Sequence, residues 1–322
     1  MVHLRIVAPA ERSDKVMGLL EATPSACNLI FLAGAARQPS GDVILCDVAR
    51  EDASIVIDDL RELDIPETGS IALEQIDSQI SRVAKQAERA ARGAPSDAVV
   101  WEEVEARTSE TSELGASFLA FMVLACLIAS VGIFTGSPIL IVGAMVVGPE
   151  FGPLAGLCVA AVERRRDPAL RSLAALTVGF PVGITAAFLF TLTCVATGLV
   201  ASDFKSVDNP LTQFIAEPDT FSILVAVFAG AAGVLSLTSA KSGALIGVLI
   251  SVTTIPAAAN IGVAAALGNW DDWLGAMAQL SLNLCGIVLA GVATLYVQRV
   301  LFERRRRRHH EDGTRAAAGL SD

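Results

Sequence analysis

The stretch Ser137–Gly156, SPILIVGAMVVGPEFGPLAG, decides the fold of this protein. It is almost entirely apolar and has about the length that a helix needs to cross the hydrocarbon core of a bilayer. Two breaks interrupt it, at Gly148–Pro149 and at Gly152–Pro153. Proline removes a helical hydrogen-bond donor, and freed backbone groups are tolerated in a membrane only where protein or water satisfies them. The stretch therefore predicts a membrane span that is broken beside a polar cavity.

Similar apolar runs fill the chain from about Glu113 to Leu301, whereas the first 112 residues are mixed and charged. The spacing predicts six spans, at Leu114–Phe134, Pro138–Val162, Leu173–Val200, Phe221–Leu237, Gly243–Leu267 and Trp273–Leu301. We expect an α-helical polytopic membrane protein with an N-terminal domain (1–78), a helical linker with an interfacial helix (79–112), a transmembrane domain (113–302) and a basic, then disordered tail (303–322).

The first 78 residues have the pattern of a small α+β domain. Strand-like runs occur at His3–Ala8, Cys27–Leu32, Asp42–Cys46 and Ser70–Leu73, and helical runs at Glu11–Glu21 and Glu51–Glu62. This βαββαβ order predicts a ferredoxin-like sandwich, in which a loop at 34–41 is the best place for a ligand. In the linker, the apolar residues from Val99 to Val104 predict a helix that lies at the membrane interface.

Basic residues in the short connections indicate the orientation, because cytoplasmic loops carry an excess of Lys and Arg. Arg164–Arg166, Lys241 and Arg304–Arg308 fall on one side if there are six spans. No signal peptide begins the chain, so we expect both termini in the cytoplasm and the protein in a bacterial inner membrane. The run Arg304–Arg308 alone could bind nucleic acid, but beyond an apolar span it indicates topology and contact with anionic lipid. We expect no nucleic-acid partner.

The fifth span repeats features of the second. Ser242–Gly262 also opens with serine beside a helix breaker, has glycine a little over one turn later and carries a central proline, Pro256. Three spans in each half would insert the second copy upside down, which predicts an inverted 3+3 repeat with two broken helices, as in many transporters. The alternative is that these residues are ordinary kinks of membrane helices.

Glu150 is the one acidic residue deep in a span, where an ionised carboxylate needs water, a cation or a partner. We expect it to bind a proton or cation in a water-accessible cavity between the broken helices; the alternative places it at the cytoplasmic interface near Arg164–Arg166. The other residues expected along a solute or ion pathway, or else in helix packing, are Gly148, Pro149, Gly152, Pro153, Thr253, Thr254, Pro256, Asn260 and Asn283. The sequence offers no catalytic group, metal cluster or cofactor motif, so an enzyme is not expected.

The same residues carry a family resemblance. Gly143–Met145 and Gly152–Pro153 match the signature of the bacterial hydrophobic membrane proteins grouped as domain of unknown function 389, which this chain resembles. The resemblance extends through Gly230–Gly247 and Asn283, and it implies a membrane domain without an established solute. Glu150 stands where the family pattern has apolar residues, so a role for this acid would be a feature of a subgroup.

Two functions are consistent with these features. The first is a transporter or channel for a small solute or ion, with a cytoplasmic domain that regulates it or assembles it into a homo-oligomer. The second is a membrane-anchored sensor or scaffold, in which the α/β domain binds a metabolite or a partner. Broken helices in an inverted repeat favour the first.

Overall fold

The computed structural model describes residues 1–76, 78–91, 98–204, 220–239, 246–311 and 319–320; in 246–253, 308, 310 and 311 it describes the backbone alone. The chain divides into two compact units. The N-terminal unit comprises Met1–Glu103, Thr238–Lys241 and Gln298–Asp322, and the membrane unit comprises Val104–Leu237 and Ser242–Val297. The N-terminal unit thus includes a late stretch of the chain that the sequence analysis assigned to the last span and the tail.

The N-terminal unit is built on a small antiparallel sheet. Its elements in order are β1 (Val2–Ala8), α1 (Ala10–Ala22), β2 (Ala26–Arg37), β3 (Ser40–Val48), α2 (Arg50–Glu62), α3 (Ile65–Thr68), β4 (Ser70–Gln75) and α4 (Arg82–Ala90). The strands lie in the order β2-β3-β1-β4, and all three pairings are antiparallel. Alternate apolar residues such as Leu4, Ile6 and Ile44 are fully buried with Leu60 of α2, which explains why strand and helix periodicity located these elements.

The expected ligand loop at 34–41 is not a loop. Strand β2 continues to Arg37 and β3 begins at Ser40, so only a tight turn separates them. Gly34 adopts φ 60°, and its backbone N–H donates to Asp42 Oδ1 at 2.7 Å. That bond and an irregular register keep the segment in the hairpin, so the prediction of a loop here was wrong.

The linker ends in helix α5 (Trp101–Thr111). Its expected apolar residues are covered by protein, since Val100, Trp101 and Val104 are all buried. Residues Gly93–Ser96 and Asp97 lie outside the described residues. A position of α5 at the membrane surface stays a prediction.

The membrane unit is helical throughout its described part. Its helices are α6 (Ala116–Thr135), α7 (Pro138–Val147), α8 (Phe151–Glu163), α9 (Arg166–Ala196), α10 (Thr220–Thr238), α11 (Ile246–Leu267) and α12 (Trp270–Glu311), and the last turns of α12 belong to the N-terminal unit. In the described residues, four of these helices are long and apolar enough to cross a membrane, namely α6, α9, α10 and α12; a fifth is obtained if α7 and α8 are one bent span. The core of the unit forms where α11 packs against α6, α7 and α9.

Of the two helices expected to be broken, only the first is broken among the described residues. Helices α7 and α8 meet at an angle of 53°, and Gly148 ends α7. Pro153 lies in the first turn of α8, where a backbone donor is not needed. The break expected at Pro256 was wrong, because α11 runs through this residue as α9 runs through Pro181. A single proline removes one hydrogen bond, which a helix packed among others tolerates.

The basic run is the helical end of α12, and it contacts acidic residues of α2. Arg305 pairs with Asp52 at 3.1 Å, and Arg306 pairs with Asp58 at 3.5 Å and with Glu62 at 3.1 Å. These two side chains thus bind protein, and the expected contact of the basic run with anionic lipid stays a prediction. Residues 312–318, part of the tail expected to be disordered, lie outside the described residues.

Candidate site at the broken helix

The candidate site begins with the three residues that separate α7 from α8. Gly148 ends α7 with its N–H bonded to Ala144 O, and Pro149 cannot donate a further helical bond. Glu150 then starts α8, where its carbonyl accepts from Leu154 N at 3.1 Å. The glycine–proline pair therefore places a carboxylate at the corner of a bent helix.

The side chain of Glu150 is fully enclosed by protein. Its relative exposure is 0%, and Thr254 of α11, also at 0%, donates a hydrogen bond from Oγ1 to Glu150 Oε1 at 2.7 Å. The thirteen residues of α8 separate the carboxylate from Arg164 by about 20 Å of helix. The structure thus joins Glu150 to the proline-containing helix of the second half, but it shows no solvent opening at the carboxylate, in contrast to the water-accessible cavity that the sequence led us to expect.

Close packing at this corner depends on glycine. A Cβ on Gly148 would stand 2.5 Å from Glu150 Oε2 and 2.7 Å from Ile255 Cγ1 of α11. A Cβ on Gly152 would stand 2.5 Å from Thr111 O, and Gly152 O accepts a bond from Ser112 Oγ at 3.1 Å. Larger residues would force α11 and the end of α5 away from the corner.

The remaining predicted residues lie at various distances along the helices. Pro153 and Pro256 are buried. Asn260 is fully buried without a hydrogen-bond partner among the described residues, but it follows Thr254 by six positions, about 240° around the helix, so it lies on another face. Asn283 of α12 accepts a bond from Gln279 Nε2 at 3.4 Å. The side chain of Thr253 lies outside the described part of the structure.

Two buried serines of the membrane unit, Ser112 and Ser172, were not among the predicted site residues. Both contact Gly156, where a Cβ would stand 2.3 Å and 2.6 Å from their hydroxyl oxygens. The sequence did contain a hint of this close packing. Gly152 and Gly156 are four residues apart, so they share one face of α8, and two glycines on one face allow a neighbour to approach closely.

Glu150 and Thr254 form a pair suited to holding a proton or a cation. A hydroxyl can donate to an ionised carboxylate and can accept from a protonated one, so the contact survives both states. A carboxylate away from water is costly unless a proton or a cation neutralises its charge. The junction of α7, α8 and α11 therefore holds a carboxylate that can exchange a proton or a cation.

A second polar cluster lies within the N-terminal unit. Asp47 is bonded at Oδ1 to His3 Nδ1 at 2.7 Å, and at Oδ2 to the side-chain amides of Asn28 at 2.6 Å and Gln79 at 2.7 Å. Burial raises the pKa of Asp47, but these three hydrogen bonds outweigh it and leave the pKa below its ordinary value. In α2, burial raises the pKa of Glu51 against the opposing charge of Arg305. Asp47 is thus held by hydrogen bonds that favour its charged form, whereas burial disfavours the charged form of Glu51.

The long apolar helices that surround the buried carboxylate are typical of a polytopic helical membrane protein. Residues 145–289 match the family described as Domain of unknown function (DUF389), which confirms the resemblance over this region of the chain. The chain is also 25% identical over 194 residues to an uncharacterised protein of Methanocaldococcus jannaschii, an alignment that covers 60% of this chain and 58% of the relative. No solved structure matches the chain.

Proposed function

We propose that this protein is a transporter or channel for a small solute or ion, and that Glu150 binds a proton or cation in its working cycle. One observation carries the proposal: a carboxylate with no solvent exposure is held at a helix break by a hydroxyl from another helix, at 2.7 Å. A charged group in this position is expensive, and structural packing does not require it. Ion pathways are where such groups are found.

The proposed architecture is six spans arranged as an inverted 3+3 repeat. The first half would contain α6, the bent pair α7–α8 and α9, and the second half α10, α11 and α12. Counting α11 as a span supports the number six, since its 22 residues match the thickness of a bilayer core. Among the described residues only the first copy is broken, so the proposed repeat is asymmetric at the site.

The N-terminal unit would be a ferredoxin-like cytoplasmic domain that regulates the membrane unit or assembles it into homo-oligomers. The strand order β2-β3-β1-β4 and the βαββαβ connection support this assignment. We place both termini in the cytoplasm of a bacterium, on the strength of the basic residues between and after the spans. A sensor or scaffold with the helices as anchor is the alternative, and it would leave the buried carboxylate without a role.

The test is ion movement in liposomes that contain the purified protein and a pH-sensitive dye. Imposed proton and alkali-cation gradients should dissipate faster than in empty liposomes, and Glu150→Gln should remove the acceleration while the protein stays folded. Glu113→Gln, which changes an exposed glutamate of the same unit, is the matched control and should behave as wild type. Equal fluxes for wild type and Glu150→Gln would refute the role of Glu150, and no flux above empty liposomes under any gradient would refute ion transport.

A further inference from the structure

A cavity with mostly polar lining residues lies within the membrane unit, between the end of α5, the second half of α8 and the start of α9. Its volume is about 100 Å³, and its lining includes Ser112, Gly156, Arg165, Arg171 and Ser172. One water needs at least about 10–15 Å³ by the same kind of measure, so the cavity has room for several waters or a small ion. Glu150 does not line it, so the cavity is separate from the candidate site at the broken helix.

Ser172 gives this cavity an unused hydrogen-bonding group. The residue has 0% exposure, and its hydroxyl has no partner among the residues that the structure describes. An unpaired buried hydroxyl is costly, and native structures rarely leave one. Gly156 makes the room for it, since a Cβ there would stand 2.6 Å from Ser172 Oγ and 2.3 Å from Ser112 Oγ. The two hydroxyls thus converge on one point of the wall.

Two carboxylates and two arginines line the cavity. Arg165 contacts Glu105, and it also lies 4.0 Å from Glu163, so the two carboxylates of the wall share this arginine. Arg171 lines the same cavity and forms no ion pair with any described residue. Arg171 precedes Ser172 on α9, a helix of 31 residues. Pro168 also lines the cavity, so the first turns of α9 form part of its wall.

We infer that this cavity binds a small oxyanion, with Arg171 and Ser172 as the recognising side chains. The guanidinium of Arg171 supplies charge-assisted donors, and the Ser172 hydroxyl supplies a buried one. The start of α9 adds the positive end of a helix dipole. Ser112 donates its own proton to Gly152 O, so its contribution is to complete the wall and not to donate to the anion. Inorganic phosphate and the phosphate of an anionic lipid share this chemistry.

The experiment measures binding to the purified full-length protein, and it does not depend on transport. Inorganic phosphate is titrated by calorimetry into the protein in neutral detergent, and phosphatidylglycerol binding is measured by native mass spectrometry against phosphatidylcholine. Ser172→Ala and Arg171→Gln should each weaken binding of the anion at least about tenfold, because each removes a donor to a charged group. Arg171 is exposed, so its substitution leaves the fold intact even if the change at Ser172 does not.

Arg166→Gln is the matched control, because Arg166 is an exposed arginine at the start of the same helix that does not line the cavity. Phosphate binding that the cavity variants weaken and the control keeps would establish a site for a free anion. The same pattern with phosphatidylglycerol alone would establish a site for a lipid headgroup. Binding of neither ligand, or equal binding by the control and both cavity variants, would overturn the inference.

Discussion

The hydrogen bond between Thr254 and Glu150 allows a quantitative test of the candidate site. Thr254→Val replaces the hydroxyl by a methyl group of similar size and leaves the carboxylate without this donor. Both side chains have 0% exposure and the bond measures 2.7 Å, so bulk water cannot replace it. A hydrogen bond to a charged group contributes about 1.5–3 kcal/mol and one between neutral groups about 0.5–1.5 kcal/mol. We expect Thr254→Val to destabilise the wild type by about 2 kcal/mol.

The same substitution should cost less when the carboxylate has been neutralised. In the Glu150→Gln background we expect about 1 kcal/mol, so a double-mutant cycle should give a coupling energy of about 1 kcal/mol. The assay is reversible unfolding of the purified protein in mixed micelles with increasing denaturing detergent, followed by circular dichroism. Thr185→Val is the control, because Thr185 is exposed and bonds only to Pro181 O of its own helix among described contacts. Additive effects at positions 150 and 254 would refute the contact as the basis of the site.

Three further substitutions test the packing and the electrostatics. Gly148→Ala should destabilise the membrane unit by about 1–3 kcal/mol in the same assay, because its Cβ would meet Glu150 and Ile255, whereas Gly143→Ala should be neutral, since nothing lies within 4 Å of that Cβ. Asp47→Asn should lower the free energy of unfolding by about 1–3 kcal/mol at neutral pH. Because the pKa of Asp47 is lowered in the folded state, its stabilisation is present above the ordinary pKa of about 3.9 and is lost as the pH falls through the folded pKa. The stabilities of wild type and variant should therefore converge in acid. Glu51→Gln should slow hydrogen exchange in α2 at neutral pH but not near pH 4, because the raised pKa of Glu51 favours the folded state only while the group is protonated.

The sequence predicted the N-terminal sheet well and its hairpin poorly. Alternating apolar residues at Leu4 and Ile6, bounded by turn residues, located the strands because this alternation reflects burial on one side of a sheet. The extension of β2 to Arg37 was missed, because Gly34 is typical of loops and nothing local indicates that its N–H bonds to Asp42. That bond depends on the pairing of two strands.

The break at Gly148 could be predicted from the sequence, but the hydrogen-bond partner of Glu150 could not. The Gly148–Pro149 pair ends α7, because Pro149 cannot donate the next helical hydrogen bond, whereas the Gly152–Pro153 pair lies in the first turn of α8, where no donor is needed. A lone proline such as Pro256 does not end its helix, because its effect depends on the neighbours that pack around the helix. The sequence suggested Thr254 among several polar residues, and only the packing of α11 against α7 singled it out. Ser172 could not be predicted as a site residue, because a single serine near an arginine-rich turn has no distinctive pattern.

The ion pairs between the end of α12 and α2 have a consequence for biosynthesis. Asp52, Asp58 and Glu62 are synthesised before the membrane unit, but Arg305 and Arg306, which pair with them, are synthesised after it. At about 5–20 residues per second, the chain between Glu62 and Arg305 takes roughly 12–50 s to synthesise. During that interval the acidic face of α2 is exposed and available to chaperones or to the insertion machinery. The last helix therefore closes a surface that remained open throughout membrane insertion.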